Sequence, residues 1–381
     1  MIYLDNAATT PLDPKVKDAM VNALEVFGNP SSTHEFGRKA KIEVEKVRKL
    51  IAAELNCVPG EIFFTSGGTE ADNLAIFSSV RDLGVKHIIT SPLEHHAVLH
   101  PIEFLAERGE VRLTLLNVDE NGEIELEQLE SALQTADKTL VSLMYCNNEI
   151  GNVNPLETIC ELAKEHGALV HSDTVQAVCH TKIDLQKLPL DFMACAAHKF
   201  HGPKGVGFCF IRGGHKIQPQ IMGGGQERSM RAGTENVVGI AGLGAAFKLA
   251  YENLEHDVNA MKSVKKYAKE QLEAAFDDIT FLGNSGNLDK SLFTVLNIGF
   301  PQDGATGMLT FSLDMHKIAA SGGSACNSGS NTGSHVIRAL GESKSKWVPL
   351  RISFSKFTTN ADIDALIRAL KTIRTPQASF N

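Results

Sequence analysis

Apolar positions recur in two rhythms along the chain. Asp13-Pro14 opens a stretch in which Val16, Met20, Leu24 and Phe27 return at helical spacing. Asp caps a helix and Pro suits its first turn, so a helix is expected to start there. Val44, Val47, Ile51 and Leu55 mark a second amphipathic helix. Seven short apolar runs follow, at 62–65, 87–90, 112–118, 140–145, 168–171, 192–194 and 206–211. Helix-like stretches separate several of them; one is 156–166, which Gly167 is placed to end. Alternating strand and helix imply a largely parallel sheet covered on both faces. After Tyr251 the rhythm changes. A long charged helical stretch, 252–276, reads as a connector. Beyond it short strands mix with helices, the last at 360–373 with Ile363, Leu366, Ile367 and Leu370 on one face. This part reads as a smaller α+β domain.

Composition narrows the classes. At 381 residues the chain is long for one hydrophobic core, so two domains are expected. The formal net charge of −8 argues against a broad nucleic-acid-binding face. No tract approaches the roughly 20 apolar residues of a membrane helix. The apolar stretch 237–247 is Gly- and Ala-rich, stops at Lys248, and reads as a buried helix. The start, Met1-Ile2-Tyr3-Leu4-Asp5, has no basic end followed by an apolar core, so no signal peptide and a cytoplasmic location are expected. Seven cysteines without a Cys-x-x-Cys pair argue against a disulfide framework and a zinc site. Six have apolar neighbours and read as small core residues.

Five loops carry candidate chemistry. Ser66-Gly67-Gly68-Thr69 follows an apolar run and opens a helix, which suits a phosphate or a plain strand-to-helix turn. Asp173 lies just past an apolar strand, where folds of this kind bind ligands; it suits either a protonated ring nitrogen or a helix N-cap. In Ala196-Ala197-His198-Lys199 the lysine follows an apolar run, a setting in which an amine forms Schiff bases. His198 and His201 have metal-ligand spacing only on a helix, which the following Gly202-Pro203 disfavours, so no metal is expected. Cys326 sits in the polar loop of about 321–333 and is either a nucleophile or an incidental surface thiol. On the alternating segment 349–355, Arg351 suits carboxylate recognition or a solvated strand face.

These segments together resemble the cysteine desulfurases of the nitrogen-fixation and iron–sulfur-cluster type, pyridoxal-phosphate enzymes of the class V aminotransferase group. The resemblance spans nearly the whole chain. It runs from Tyr3-Leu4-Asp5-Asn6 and Gly28-Asn29-Pro30 through Glu94-His95, Asn147-Asn148-Glu149 and Arg231-Ala232-Gly233-Thr234 to Arg351. It implies the α/β fold type I of pyridoxal-phosphate transferases: a large domain (15–257) with a mostly parallel seven-stranded sheet, and a small α+β domain (1–14 and 258–381) carrying the cysteine loop. Lys199 would hold the cofactor and move the substrate α-proton. Asp173 would pair with the ring nitrogen, Gln176 with the ring oxygen, and His95 would stack on the ring. Gly68, Thr69 and His198 would hold the phosphate, joined by Thr234 of a neighbouring subunit in a homodimer. Asn148 and Arg351 would bind the carboxylate of L-cysteine. Cys326 would take its sulfur as a persulfide, leaving alanine, and pass it to an acceptor such as an iron–sulfur scaffold. Ala196 departs from the family's usual serine at the phosphate; Ser66 or a water would have to compensate. A transaminase would not need Cys326, a selenocysteine lyase would share every residue named, and a partner-binding scaffold would need none of them.

Overall fold

The seven apolar runs become seven strands of one sheet. The computed structural model describes residues 1–303, 306–322 and 333–374. Its strands are β1 (Ile2–Tyr3), β2 (Ile62–Thr65), β3 (His87–Thr90), β4 (Arg112–Leu115), β5 (Thr139–Ser142), β6 (Leu169–Asp173), β7 (Phe192–Ala196), β8 (Gly207–Ile211), β9 (Thr280–Phe281), β10 (Val295–Phe300), β11 (Ile318–Ala319) and β12 (Val348–Ser353). Its α-helices are α1 (Pro14–Ala23), α2 (Glu35–Glu54), α3 (Gly68–Arg81), α4 (His96–Glu107), α5 (Leu126–Leu133), α6 (Leu156–Glu165), α7 (Val237–Glu252), α8 (Leu254–Ala275), α9 (Leu309–Met315), α10 (His335–Ala339), α11 (Glu342–Ser345) and α12 (Asn360–Arg374).

The large sheet has the order β2-β8-β7-β6-β5-β3-β4. β8 runs antiparallel to both neighbours; the pairs from β7 across to β4 are parallel. Strands buried on both faces read as continuous apolar runs rather than alternating ones, which is why these were visible as runs. The carboxyl ends of β2, β3, β5, β6 and β7 lead to Gly68, His95, Asn148, Asp173 and Lys199, the edge at which open α/β sheets bind ligands. A second core forms on β12-β10-β9, where Leu296, Ile298, Leu350 and Ile352 pack with Ala268 and Leu272 of α8 and Leu366 and Leu370 of α12. Leu4 joins this core, and β1 pairs with β11.

Several expectations shift. Asp13 does cap α1, accepting from the Lys15 N–H at 2.9 Å, but α1 ends at Ala23. Leu24 and Phe27 are therefore exposed, Phe27 at 76 %, with its ring 4.9 Å from that of Phe36. The connector expected over 252–276 is α8, set off from α7 at Asn253, whose side chain turns back to the Leu249 carbonyl. α8 then serves both cores, through Met261 in one and Ala268 and Leu272 in the other. Both faces of β12 are buried, so Arg351 is not on a solvated face.

Candidate active site

A cavity of about 270 Å³ opens at the carboxyl edge of the large sheet. Lys199, His198, Asp173, Gln176, His95, Asn148, Gly68, Thr69 and Arg351 all line it. The sequence-predicted residues that line it come from as far apart as positions 68 and 351.

The floor comes from β6 and β7. Asp173 is the last residue of β6, and its Oδ1 accepts from the Val175 N–H at 2.9 Å. Burial pushes its carboxyl up, while His95, that N–H and Lys199 draw it down. Past β7 a single 3-10 turn, Ala197–Lys199, turns the lysine inward. Its Nζ donates to the carbonyls of Ala7 and Ala8 at 2.7 and 2.9 Å. Gln176 Nε2 donates to the same Ala7 carbonyl at 3.0 Å. The N-terminal segment therefore closes one wall. His95 caps α4: its Nδ1 accepts from the Ala97 N–H at 3.1 Å, so in the neutral ring Nε2 carries the proton.

An uncapped helix start lies beside the lysine. α3 starts at Gly68 with no side chain capping its end, leaving backbone N–H groups of the first turn for a ligand. A Cβ on Gly68 would meet Val175 Cγ2 at 2.7 Å, so only glycine lets the backbone approach this closely. His198 lines the same cavity; burial and the neighbouring Lys199 and Lys204 lower its pKa to about 4, so it is neutral, with Nδ1 3.1 Å from Thr9 Oγ1. Ala196 lines the cavity as well. Ser66 does not: it is exposed, its N–H bound to Glu70 Oε2 at 2.8 Å, so it does not replace the missing hydroxyl.

Arg351 faces the floor from β12. It is 1 % exposed, with Nη1 on the Asn148 carbonyl at 3.0 Å and Nη2 on Asp5 Oδ1 at 2.8 Å. Its Nε is buried and has no partner among the described residues. A buried guanidinium N–H without an acceptor calls for one, and a carboxylate in the cavity would supply it.

Two predicted residues stand apart. Thr234 is exposed and lines a separate pocket of about 70 Å³ with Ser66 and Arg231. Cys326 lies outside the described residues. Among the described residues, no group of three His, Cys, Asp or Glu side chains is placed to hold a metal ion, and no helix is long and apolar enough to cross a membrane.

Sequence reasoning assigned no role to several residues that build the site. Asp72 and Glu94 are fully buried, and burial pushes both carboxyls well up, with Asp173 adding to the effect. Asp72 Oδ1 lies 3.3 Å from His171 Nε2, whose ring reaches Ser142 Oγ at 2.8 Å through Nδ1. Burial takes His171 down to about 3, so acid and imidazole are both neutral here. A carboxylate on the apolar face of a helix was the available signal for Asp72. Ser334 Oγ donates to Glu149 Oε2 at 2.5 Å, and His335 lines the cavity. Elsewhere Arg48 forks onto Glu227 at 2.8 and 2.7 Å. That fork holds a segment in which Glu227, Arg228 and Ser229 all have positive φ.

The model of the family described as aminotransferase class-V matches residues 2–366. The chain is 45% identical over 359 residues to the putative cysteine desulfurase IscS 1 of Bacillus subtilis, covering 93% of each. The chain belongs to this family, in its cysteine desulfurase branch. Among solved structures, a NifS-like protein superposes with a TM-score of 0.89 at 34% identity, covering 98% of both chains. SspA in complex with cysteine superposes with a TM-score of 0.80 at 33% identity, covering 94% of this chain and all (100%) of that one. The fold is that of the pyridoxal-phosphate transferases of type I, and members of the family use that cofactor.

Proposed function

We propose that this desulfurase binds pyridoxal phosphate and L-cysteine in the Lys199–Arg351 cavity, releases alanine, and passes the sulfur through Cys326 to an acceptor protein. The observation that carries this is one juxtaposition: a lysine and a buried acid on neighbouring strand ends, faced by an arginine with an unpartnered Nε. The cofactor fits the residues present. Asp173 is buried at the end of β6 and lines the cavity, where a protonated ring nitrogen would stabilise its charged form. The bare end of α3 suits a phosphate.

When bound, pyridoxal phosphate supplies the electron sink for charge developing at the substrate Cα. The protein's share is as follows. Lys199 holds the cofactor and moves the α-proton. Asp173 would pair with the protonated ring nitrogen, Gln176 would hydrogen-bond the ring oxygen, and His95 would pack against the ring and offer Nε2–H. Gly68, Thr69 and His198 seat the phosphate. Arg351 Nε and the Asn148 side chain orient the substrate carboxylate. The Cys326 sulfur then bonds to the substrate sulfur as the carbon–sulfur bond breaks, giving a persulfide and, after protonation at carbon, alanine.

Thr234 serves the neighbouring subunit's phosphate in a homodimer. Its absence from this chain's cavity and the exposed apolar groups Val21, Leu24, Phe27, Phe36 and Ile42 support that reading. The core of Leu4, α8, β10, β12 and α12 supports a small domain of 1–14 with 258–381 beside a large one of 15–257, although Met261, Leu292 and Phe293 pack into the large domain's core. The test compares wild type with Cys326→Ser on L-cysteine plus a thiol reductant, following alanine, sulfide and the cofactor band near ~400 nm. The expected result is a yellow mutant that has lost sulfide release. A serine variant as active as wild type would remove Cys326 from the pathway.

A further inference from the structure

His335 is the first residue of α10, and Ser334 before it is tied to both Glu149 and the Ile337 N–H. That anchoring fixes where the imidazole stands. Its Nε2 lies 2.9 Å from the carbonyl oxygen of Glu94. A carbonyl only accepts, so Nε2 must carry a hydrogen, and in the neutral ring the lone pair falls on Nδ1. Nδ1 is buried and has no partner among the described residues. The ring itself lines the same cavity as Lys199 and Arg351.

His95 and His335, both lining the cavity, are thus fixed as opposites. His95 accepts through Nδ1 and presents N–H at Nε2; His335 donates through Nε2 and keeps a lone pair at Nδ1. His96 packs against His335 with the rings tilted and their centres 4.3 Å apart, and stacks on His100 at 4.5 Å. Burial, then His335, His100 and His95, lower the His96 pKa to about 4, so it adds no charge beside His335. The Glu94 carboxyl is pushed up by burial and Asp173, and is neutral as well. The other acidic and basic side chains lining the cavity include Lys199, Arg351, Asp72, Asp173 and Glu149.

A bound cysteine with its carboxylate on Arg351 and its amine toward Lys199 has one more polar group to satisfy, its thiol. We propose that His335 is a further catalytic residue, whose Nδ1 accepts the hydrogen of the substrate thiol and then its proton. The S–H bond breaks, an N–H bond forms at Nδ1, and the pair becomes thiolate and imidazolium with no change in oxidation state. The assignment rests on the desulfurase reading above. It also gives the site a means of distinguishing cysteine from serine, whose hydroxyl is far less acidic.

The test uses holoenzyme of wild type, His335→Gln and His335→Phe. The first keeps polarity without a titratable nitrogen; the second keeps a ring against His96. Alanine formation from L-cysteine is followed from pH 6.5 to 9.5. The spectral response of the cofactor to L-alanine, which has no thiol, reports the rest of the pocket. General-base loss predicts a 10²–10⁴-fold fall in kcat/KM near neutral pH. The deficit should shrink by roughly tenfold per pH unit until the free thiol ionises by itself near ~8.5. The L-alanine response should be unchanged in both variants. A deficit constant with pH, no deficit, or loss of the L-alanine response overturns the proposal in favour of a packing role. A wild type that forms no alanine from L-cysteine at any pH refutes the desulfurase reading instead, and this inference falls with it.

Discussion

Two buried arginines divide the molecule's polar interior into scaffold and site. Arg48 is 2 % exposed and fully engaged: Nε on Glu45, Nη1 on the Ile62 carbonyl and Glu227, Nη2 on Glu227. Glu227 in turn accepts from the Phe64 N–H at 2.8 Å. Arg351 is as deeply buried, yet its Nε points to nothing within the described residues. A desolvated charge with every nitrogen engaged holds backbone in place. One with a nitrogen left over beside a cavity can take a ligand. The same contrast separates the carboxyls. Glu227 is neutralised by a fork, whereas Asp72 and Glu94 lie beneath the cavity without a cation and keep their protons.

The contrast breaks most visibly if Arg48 is removed. Arg48→Met leaves Glu227 buried and unpaired, and should cost about 3–5 kcal/mol in stability. Urea unfolding of the holoenzyme measures it; a loss below about 1 kcal/mol would place the fork among decorative pairs. Arg351→Met should act on binding instead, weakening kcat/KM for L-cysteine by the ~2–5 kcal/mol typical of a truncated buried charge pair. Steady-state kinetics and the same unfolding curve, run together, check that the loss falls on substrate.

Asp72→Asn sharpens the comparison through pH. The native carboxyl holds its proton well above the usual range because it is buried. The unfolded chain releases that proton near pH ~4, so the native state binds more protons above that pH and wild-type stability falls as pH rises. An amide has no proton to release. The variant should match wild type near pH 4 and become the more stable of the two by pH 7, as thermal melts would record. Coinciding curves at both pH values would mean that Asp72 ionises normally. The smallest effect is expected from Ala196→Ser, which restores a hydroxyl at the proposed phosphate seat. One neutral hydrogen bond of roughly 0.5–1.5 kcal/mol should tighten cofactor binding about 2–10-fold, read by titrating the apoprotein with pyridoxal phosphate.

Much of this was legible in the chain because it is local. Strands buried on both faces show as unbroken apolar runs, and Gly68, Asp173 and Lys199 each sit where such a run stops. Their convergence followed from the rule that parallel strands present their carboxyl ends together. What escaped was set by tertiary contact. Phe27 keeps helical spacing but falls beyond the end of α1, against Phe36. Arg48 and Glu227 are 179 residues apart, and no pattern links them. The lone pair of His335 depends on the Glu94 carbonyl, 241 residues away. Arg351 looked equally suited to water and to a ligand until both faces of β12 proved buried.

The most direct test of the whole account is to ask which amine holds the cofactor. Reducing the holoenzyme with borohydride fixes the pyridoxyl group on its lysine, and peptide mapping by mass spectrometry then locates it. The account predicts the label on Lys199, where the turn after β7 meets the cavity. A label on Lys204 or any other lysine, with Lys199 unmodified, would contradict it.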